Sequence, residues 1–180
     1  MTTWSQLLQP DLALGGSILR LTPEVIAHHQ LKGLILDVDE TLVSFKQSQP
    51  VEDVRQWLRQ MQSLLIPVVL VSNNVSHSRI SRIAEELGVE SFYIAAGKPS
   101  RRKLRAAVEQ MQLPHHQIAM VGDRLFTDVL GGNRLGLFTV LVEPMLDPVA
   151  ASSPKQCLRN AEIWISQRLG VVLTGNDETK

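Results

Sequence analysis

With 180 residues, 44% of them hydrophobic and 20% charged, the chain has the composition of a single globular domain, since domains commonly run to about 150 residues. Eighteen basic residues balance eighteen acidic ones, so there is no bulk polycationic character and no nucleic-acid partner is expected. Cys157 is the one cysteine, which excludes a disulfide framework and a multi-cysteine zinc site. The first residues lack the basic and apolar regions of a secretory signal, and the longest apolar run, Leu64 to Val71, is far short of the ~20 residues a membrane span needs. The expectation is a cytoplasmic protein, at most peripheral at a membrane, with its oligomeric state left open.

In chain order, residues 1–31 read as a lead-in. It holds a weak helix and then a helix start in which Thr22 is the N-cap and Pro23 the first helical residue. From Lys32 short aliphatic runs alternate with stretches of helical period, the pattern of a parallel sheet covered by helices. Five strands are predicted: Gly33 to Asp37, Pro67 to Ser72, Ser91 to Ala95, Gln117 to Gly122 and Leu137 to Val142. Helices are expected at about 51–63, 76–87, 99–112 and 126–135, with Gly88 and Gly136 at positive φ where two of them end. A last helix, Pro154 to Leu169, is expected to lay Leu158, Ala161, Ile165 and Leu169 on the sheet. The main domain is therefore 32–170, an α/β fold of three layers around a mostly parallel five-stranded sheet. Residues 171–180 form a tail whose polar end, NDETK, is expected to be disordered.

Ligands of parallel α/β sheets bind at the carboxyl ends of the strands, so the residues just past each strand matter most. Here the first predicted strand runs into DVDETL with Asp37 and Asp39, the second into Ser72, Asn73 and Asn74, the third is followed by Lys98, and the fourth runs into GDRLFTD with Asp123 and Asp128. Carboxylates crowded at one end of a sheet repel one another unless a cation sits among them, and hard oxygen ligands select Mg²⁺. Mg²⁺ with a lysine and a hydroxyl also suits a phosphoryl group, whose charge is spread over three oxygens. An aspartate can accept that group as an aspartyl-phosphate, and a second carboxylate can protonate the leaving alcohol and later activate water.

These four motifs, DVDETL, VSNN, the lysine of AGKPSRRKLR and GDRLFTD, resemble those of the haloacid dehalogenase (HAD) superfamily of phosphatases in order and position, over roughly residues 32–142. The resemblance implies a Rossmann-like HAD fold with Asp37 as nucleophile and Asp39 as general acid/base. Ser72 would bind the phosphoryl oxygens together with Thr41, Asn73 and Lys98, and Lys98 would also neutralise developing charge. Asp37, Asp123 and the Asp39 main-chain carbonyl would hold Mg²⁺, with Asp128 behind them orienting water or Lys98. More finely, LTPEVIAHHQLKGLILDVDETLV and GDRLFTDVLGGNRLGLFTVLVEP are similar to the small YqeG-like phosphatases of subclass III A. That group includes phosphatidylglycerophosphate phosphatases of yeast mitochondria and plant chloroplasts. It often carries asparagine where this chain has Glu40, and DETL also occurs in phosphoprotein phosphatases of the polymerase-tail type.

Superfamily members with enclosed sites carry a cap inserted after the first motif or between the second and third. Only 30 residues separate Thr41 from Ser72 and 25 separate Ser72 from Lys98, so no cap domain is expected. An uncapped site suits a substrate that covers it, such as a lipid headgroup at a membrane surface or a phosphoprotein; a soluble phosphate ester is the further enzymatic alternative. Five bases, Lys98, Arg101, Arg102, Lys103 and Arg105, could hold a second phosphate or an anionic membrane, or could simply be a solvated helix face. Outside enzymes, the alternative is a phosphate-binding or assembly module on the same fold. Trp57 and Trp164 are expected to be packing anchors and Cys157 a small buried residue. His28, His29, His115 and His116 are expected at the surface. Asn73 and Asn74 could cap the following helix, and Gly131 and Gly132 read as a helix break rather than a close approach.

Overall fold

The computed structural model describes residues 3–44, 50–145 and 154–173, the last of these with side chains from Leu158 onward. Cys157 and the NDETK end lie outside the described side chains. Six strands form one sheet: β1 (Leu12–Ala13), β2 (Gly33–Leu36), β3 (Val68–Val71), β4 (Ser91–Tyr93), β5 (Ile118–Gly122) and β6 (Phe138–Leu141). Their order is β1-β6-β5-β2-β3-β4 and every pairing is parallel. The predicted count of five is thus corrected to six. The added strand is a two-residue edge piece from the lead-in, Leu12 opposite Val140 and Ala13 opposite Leu141, too short to show any periodicity in sequence.

The helices are α1 (Trp4–Leu8), α2 (Pro23–His28), α3 (Glu52–Ser63), α4 (His77–Leu87), α5 (Arg101–Met111), α6 (Leu130–Asn133) and α7 (Pro154–Arg168). Alternation along β2 divides the core: Leu34 and Leu36 join Val54, Leu58 and Met61 of α3 and Ile80 and Ile83 of α4 in one apolar layer, while Ile35 points to the other with Leu104, Ala107 and Val108 of α5. All four β2 residues are buried, as a central parallel strand requires. Thr22 caps α2 through the Val25 N–H, Trp57 Nε1 donates to the Leu21 carbonyl at 2.8 Å, and Gly88 and Gly136 stand at φ 65° and 70° at their helix ends. His28, His115 and His116 are exposed, and His29 is half-buried against the Phe138 ring.

Three expectations change. The helix predicted at 126–135 is a π-helical turn over Leu125–Val129 followed by the single α turn of α6. Gly131 and Gly132 are close-approach positions inside it, since a Cβ on Gly131 would meet Leu104 Cδ1 at 2.9 Å and one on Gly132 would meet Thr139 Cγ2 at 2.6 Å. The apolar side of α7 does not cover the sheet: Leu158, Ile165 and Leu169 are exposed, as is Trp164, expected as an anchor. Its buried stripe is instead Glu162 and Ser166 with Ile163 partly covered, because Glu162 pairs with Arg124 and Arg159 Nε donates to the Asp123 carbonyl. Val171 is buried just beyond the helix.

The chain leaves β2 to build β3 and β4 on one side, then returns to lay β5 against the other side of β2 and continues outward to β6. The exits of β2 and β5 therefore flank the point where strand order reverses, where α/β sheets form their ligand crevice. Among the described residues α3 is the one helix between β2 and β3 and α4 the one between β3 and β4, with no cap domain.

Candidate active site

Asp37 directly follows β2, and its N–H still bonds the Val121 carbonyl at 2.9 Å, so the strand ladder fixes its backbone. Asp123 directly follows β5, whose last residue, Gly122, accepts from the Val142 N–H at 3.0 Å. The chain then turns through the π-helical segment, whose extra residue per turn swings the Asp128 carboxylate back to the strand exit. There Asp128 Oδ2 accepts from the Arg124 N–H and Thr127 Oγ1. The fit is close: a Cβ on Gly122 would lie 2.4 Å from the Asp128 carboxylate. Lys98, on the β4–α5 connection, reaches across with Nζ 2.6 Å from Asp37 Oδ1 and 2.7 Å from Asp128 Oδ1, its side chain 1% exposed.

One ammonium thus stands against three carboxylates, since Asp37, Asp123 and Asp128 offer oxygens all within 4.8 Å of one another. The imbalance shows in the titration of the group. Burial pushes Asp123 up to about 8, helped by the Asp128 and Asp37 charges, and burial pushes Asp37 up to about 6 against the restraint of Lys98. Burial alone would lower the Lys98 ammonium, but Asp128 and Asp37 outweigh it and hold that group above its ordinary value. Asp123 Oδ1 is buried without a hydrogen-bond partner. Three hard oxygen donors, a surplus of negative charge and a buried carboxylate oxygen without a partner are what a divalent cation such as Mg²⁺ would need.

Asp39 stands outside this group. The loop after β2 folds back on itself, with the Leu42 and Val43 N–H groups on the Val38 carbonyl and Glu40 at φ 65°. The Asp39 carboxylate turns toward the β3 exit. Its Oδ1 meets Arg79 Nη1 at 2.5 Å, and its Oδ2 accepts from Asn74 Nδ2 at 3.2 Å and from Ser72 Oγ at 3.5 Å. Ser72 is fully buried, its Oγ also accepting from the Asn74 N–H, and Thr41 Oγ1 is buried without a partner. Asn73, expected as a phosphate ligand, has its side chain engaged with Lys98. Its side-chain amide brackets the Lys98 main chain, accepting from N–H at 2.7 Å and donating to the carbonyl at 3.2 Å, so it places the lysine. Neither asparagine caps α4; Ser76 does, accepting from the Arg79 N–H. Of the basic cluster, Lys98 is in the crevice, Arg101, Arg102 and Arg105 are exposed on α5, and Lys103 lies 6.0 Å from the Tyr93 ring centre.

Sequence reasoning missed Arg79, Arg124, Arg159 and Glu162. For Arg79 a signal existed: it lies in the first turn of α4, where the helix dipole disfavours a cation and where no acidic residue offsets it.

Comparison with known proteins agrees with this geometry. Residues 24–136 match the haloacid dehalogenase-like hydrolase family. The chain is 37% identical over 129 residues, 72% of its length and 74% of the relative's, to the probable phosphatase YqeG of Bacillus subtilis. It is 25% identical over 130 residues to the chloroplastic/mitochondrial phosphatidylglycerophosphate phosphatase 1 of Arabidopsis thaliana, a match spanning 68% of this chain and 37% of that protein. Among solved structures, NagD of Escherichia coli superposes with a TM-score of 0.54 at 17% identity, over 69% of this chain and 93% of that one, which supports the fold. The family match over most of the chain, together with the YqeG relative, places this protein among the haloacid dehalogenase-like hydrolases, as a phosphatase of the YqeG-like kind.

Proposed function

We propose that this enzyme is a Mg²⁺-dependent phosphomonoester hydrolase that works through an aspartyl-phosphate on Asp37, with phosphatidylglycerophosphate as its substrate. The observation that carries the chemistry is the buried arrangement of Lys98 between Asp37 and Asp128 with Asp123 beside them. Asp37, Asp123 and the Asp39 main-chain carbonyl would hold the metal, with Asp128 behind them orienting Lys98, and the metal would supply positive charge to the phosphoryl oxygens and offset the carboxylates.

The residues then divide the work. Lys98 occupies Asp37 Oδ1, which leaves Oδ2 to attack phosphorus. As that bond forms, the bond from phosphorus to the ester oxygen breaks, and the departing alcohol takes a proton from Asp39. Water then gives a proton to Asp39 and attacks the same phosphorus, releasing phosphate and restoring Asp37. Ser72 and Thr41 hydroxyls hold the phosphoryl oxygens, and Lys98 balances their charge.

The lipid substrate is supported by the likeness to YqeG-like proteins, by the distant phosphatidylglycerophosphate phosphatase relative, and by a crevice over which the described residues place no cap domain. A soluble ester is the second reading, favoured by a local 46% identity over 55 residues to the ribonucleotide monophosphatase NagD of Escherichia coli. Phosphate release by the purified protein with Mg²⁺ separates them, measured on phosphatidylglycerophosphate in mixed micelles and on soluble esters in parallel with Asp37→Asn as the blank. Preference for the micellar lipid is the expected result. Preference for soluble esters would retain the chemistry and discard the lipid, and no release from any substrate would contradict the reading.

A further inference from the structure

Among the described residues, the Asp39 carboxylate is held from the neighbouring strand's side of the crevice. Arg79 on α4 meets Oδ1 at 2.5 Å, while Asn74 and Ser72 from the β3 exit meet Oδ2. The Asp39 side chain is 18% exposed at the crevice mouth, beside a 21% exposed Arg79. We infer that Arg79 is the positioning residue of the proton-transfer step: its contact with Oδ1, with Asn74 and Ser72 on Oδ2, aims Asp39 at the leaving oxygen and keeps it from joining the Asp37, Asp123 and Asp128 group. The inference rests on the phosphatase reading above and adds to it a residue that none of the four motifs contains.

The physical reason is geometric. Proton transfer needs donor and acceptor at hydrogen-bond distance in the reacting complex, and a misplacement of ~1 Å can cost about 10²-fold. A guanidinium constrains a carboxylate in distance and plane, whereas an ammonium constrains it mainly in distance. The consequence depends on the substrate. An alkyl ester must expel an alkoxide and needs the proton; p-nitrophenyl phosphate expels a stabilised phenolate and needs it far less. In the first step, which kcat/KM reads, a residue acting through Asp39 therefore matters for the first ester and little for the second, whereas a residue that shapes the crevice or binds the phosphoryl group matters equally for both; the later activation of water by Asp39 is common to the two and enters kcat alone.

The test compares the intact protein with Arg79→Gln and Arg79→Lys on an alkyl phosphate that the protein turns over and on p-nitrophenyl phosphate. Circular dichroism melts verify that each variant is folded. The expected result for Arg79→Gln is a roughly 10- to 100-fold loss of kcat/KM on the alkyl ester and a loss of kcat/KM below about threefold on the aryl ester. Arg79→Lys should fall between. In an Asp39→Asn background, Arg79→Gln should cost almost nothing further, because the group it aims is gone. Equal loss of kcat/KM on both esters, or full additivity with Asp39→Asn, would overturn the inference. Failure of the unsubstituted protein to release phosphate from any ester would overturn the phosphatase reading, and this inference with it.

Discussion

Asp37 and Asp39 are two residues apart on one loop, yet they sit in opposite surroundings. Asp37 is buried among carboxylates with Lys98 as its cation, on a backbone pinned by the β2–β5 ladder. Asp39 lies at the mouth, paired with Arg79 and two neutral donors from the β3 exit. The contrast shows how two identical side chains acquire different work. A nucleophile needs a fixed, dry position beside compensating charge, and a proton carrier needs access to the leaving oxygen and to water.

The comparison can be broken most forcefully at Lys98. Lys98→Met would leave three carboxylates in a dry pocket without their cation, and it should lower stability by about 3–5 kcal/mol as well as remove activity. Chemical denaturation reads this directly, and a loss below about 1 kcal/mol would show that the pocket is wetter than its burial indicates. Asp39→Asn should behave in the opposite manner, with kcat on alkyl esters down by about 10²- to 10⁴-fold and stability changed by less than about 1 kcal/mol, because its ion pair is partly solvated. Steady-state kinetics beside a thermal melt would check both halves.

A subtler separation comes from pH. Unfolded aspartates ionise near 4, whereas without a cation native Asp37 keeps its proton to about 6 and Asp123 to about 8, both raised chiefly by burial. Between about 4 and 8 the native state therefore binds more protons than the unfolded one, and stability must fall as pH rises through that window. In EDTA the melting temperature should decline from pH 5 to pH 8, and the gain on adding Mg²⁺ should grow over the same range as the metal replaces those protons. A Mg²⁺ gain independent of pH would disconnect the carboxylates from the metal.

The parts of this site written in local sequence were readable from it. A strand aliphatic on both faces ending in two aspartates announces Asp37, and VGD after IAM announces Asp123, because exits of buried parallel strands are where polar residues have a reason to sit. What was hidden depends on contacts between distant segments. Arg79 is one more base on an amphipathic helix until α4 is laid beside the β2 loop, and the cradle that Asn73 forms for Lys98 is invisible until the two loops are brought together. Helix α7 deceived for the same reason. Its apolar side, Leu158, Ile165 and Leu169, predicts burial by periodicity, but the Arg124–Glu162 pair and the Arg159 bond to the Asp123 carbonyl turn the polar stripe inward. The edge strand β1 gave no signal because two residues carry no period.

The measurement closest to the central claim is a search for the phosphoryl group on the chain. Protein mixed with excess substrate and Mg²⁺ is quenched in acid within the first turnover and digested, and the peptide containing Asp37 is examined by mass spectrometry. The account predicts one added phosphoryl group on Asp37 that decays as phosphate appears, and none in Asp37→Asn, which should also release no phosphate. Continued turnover by Asp37→Asn, or a phosphoryl group found on another residue, would contradict it.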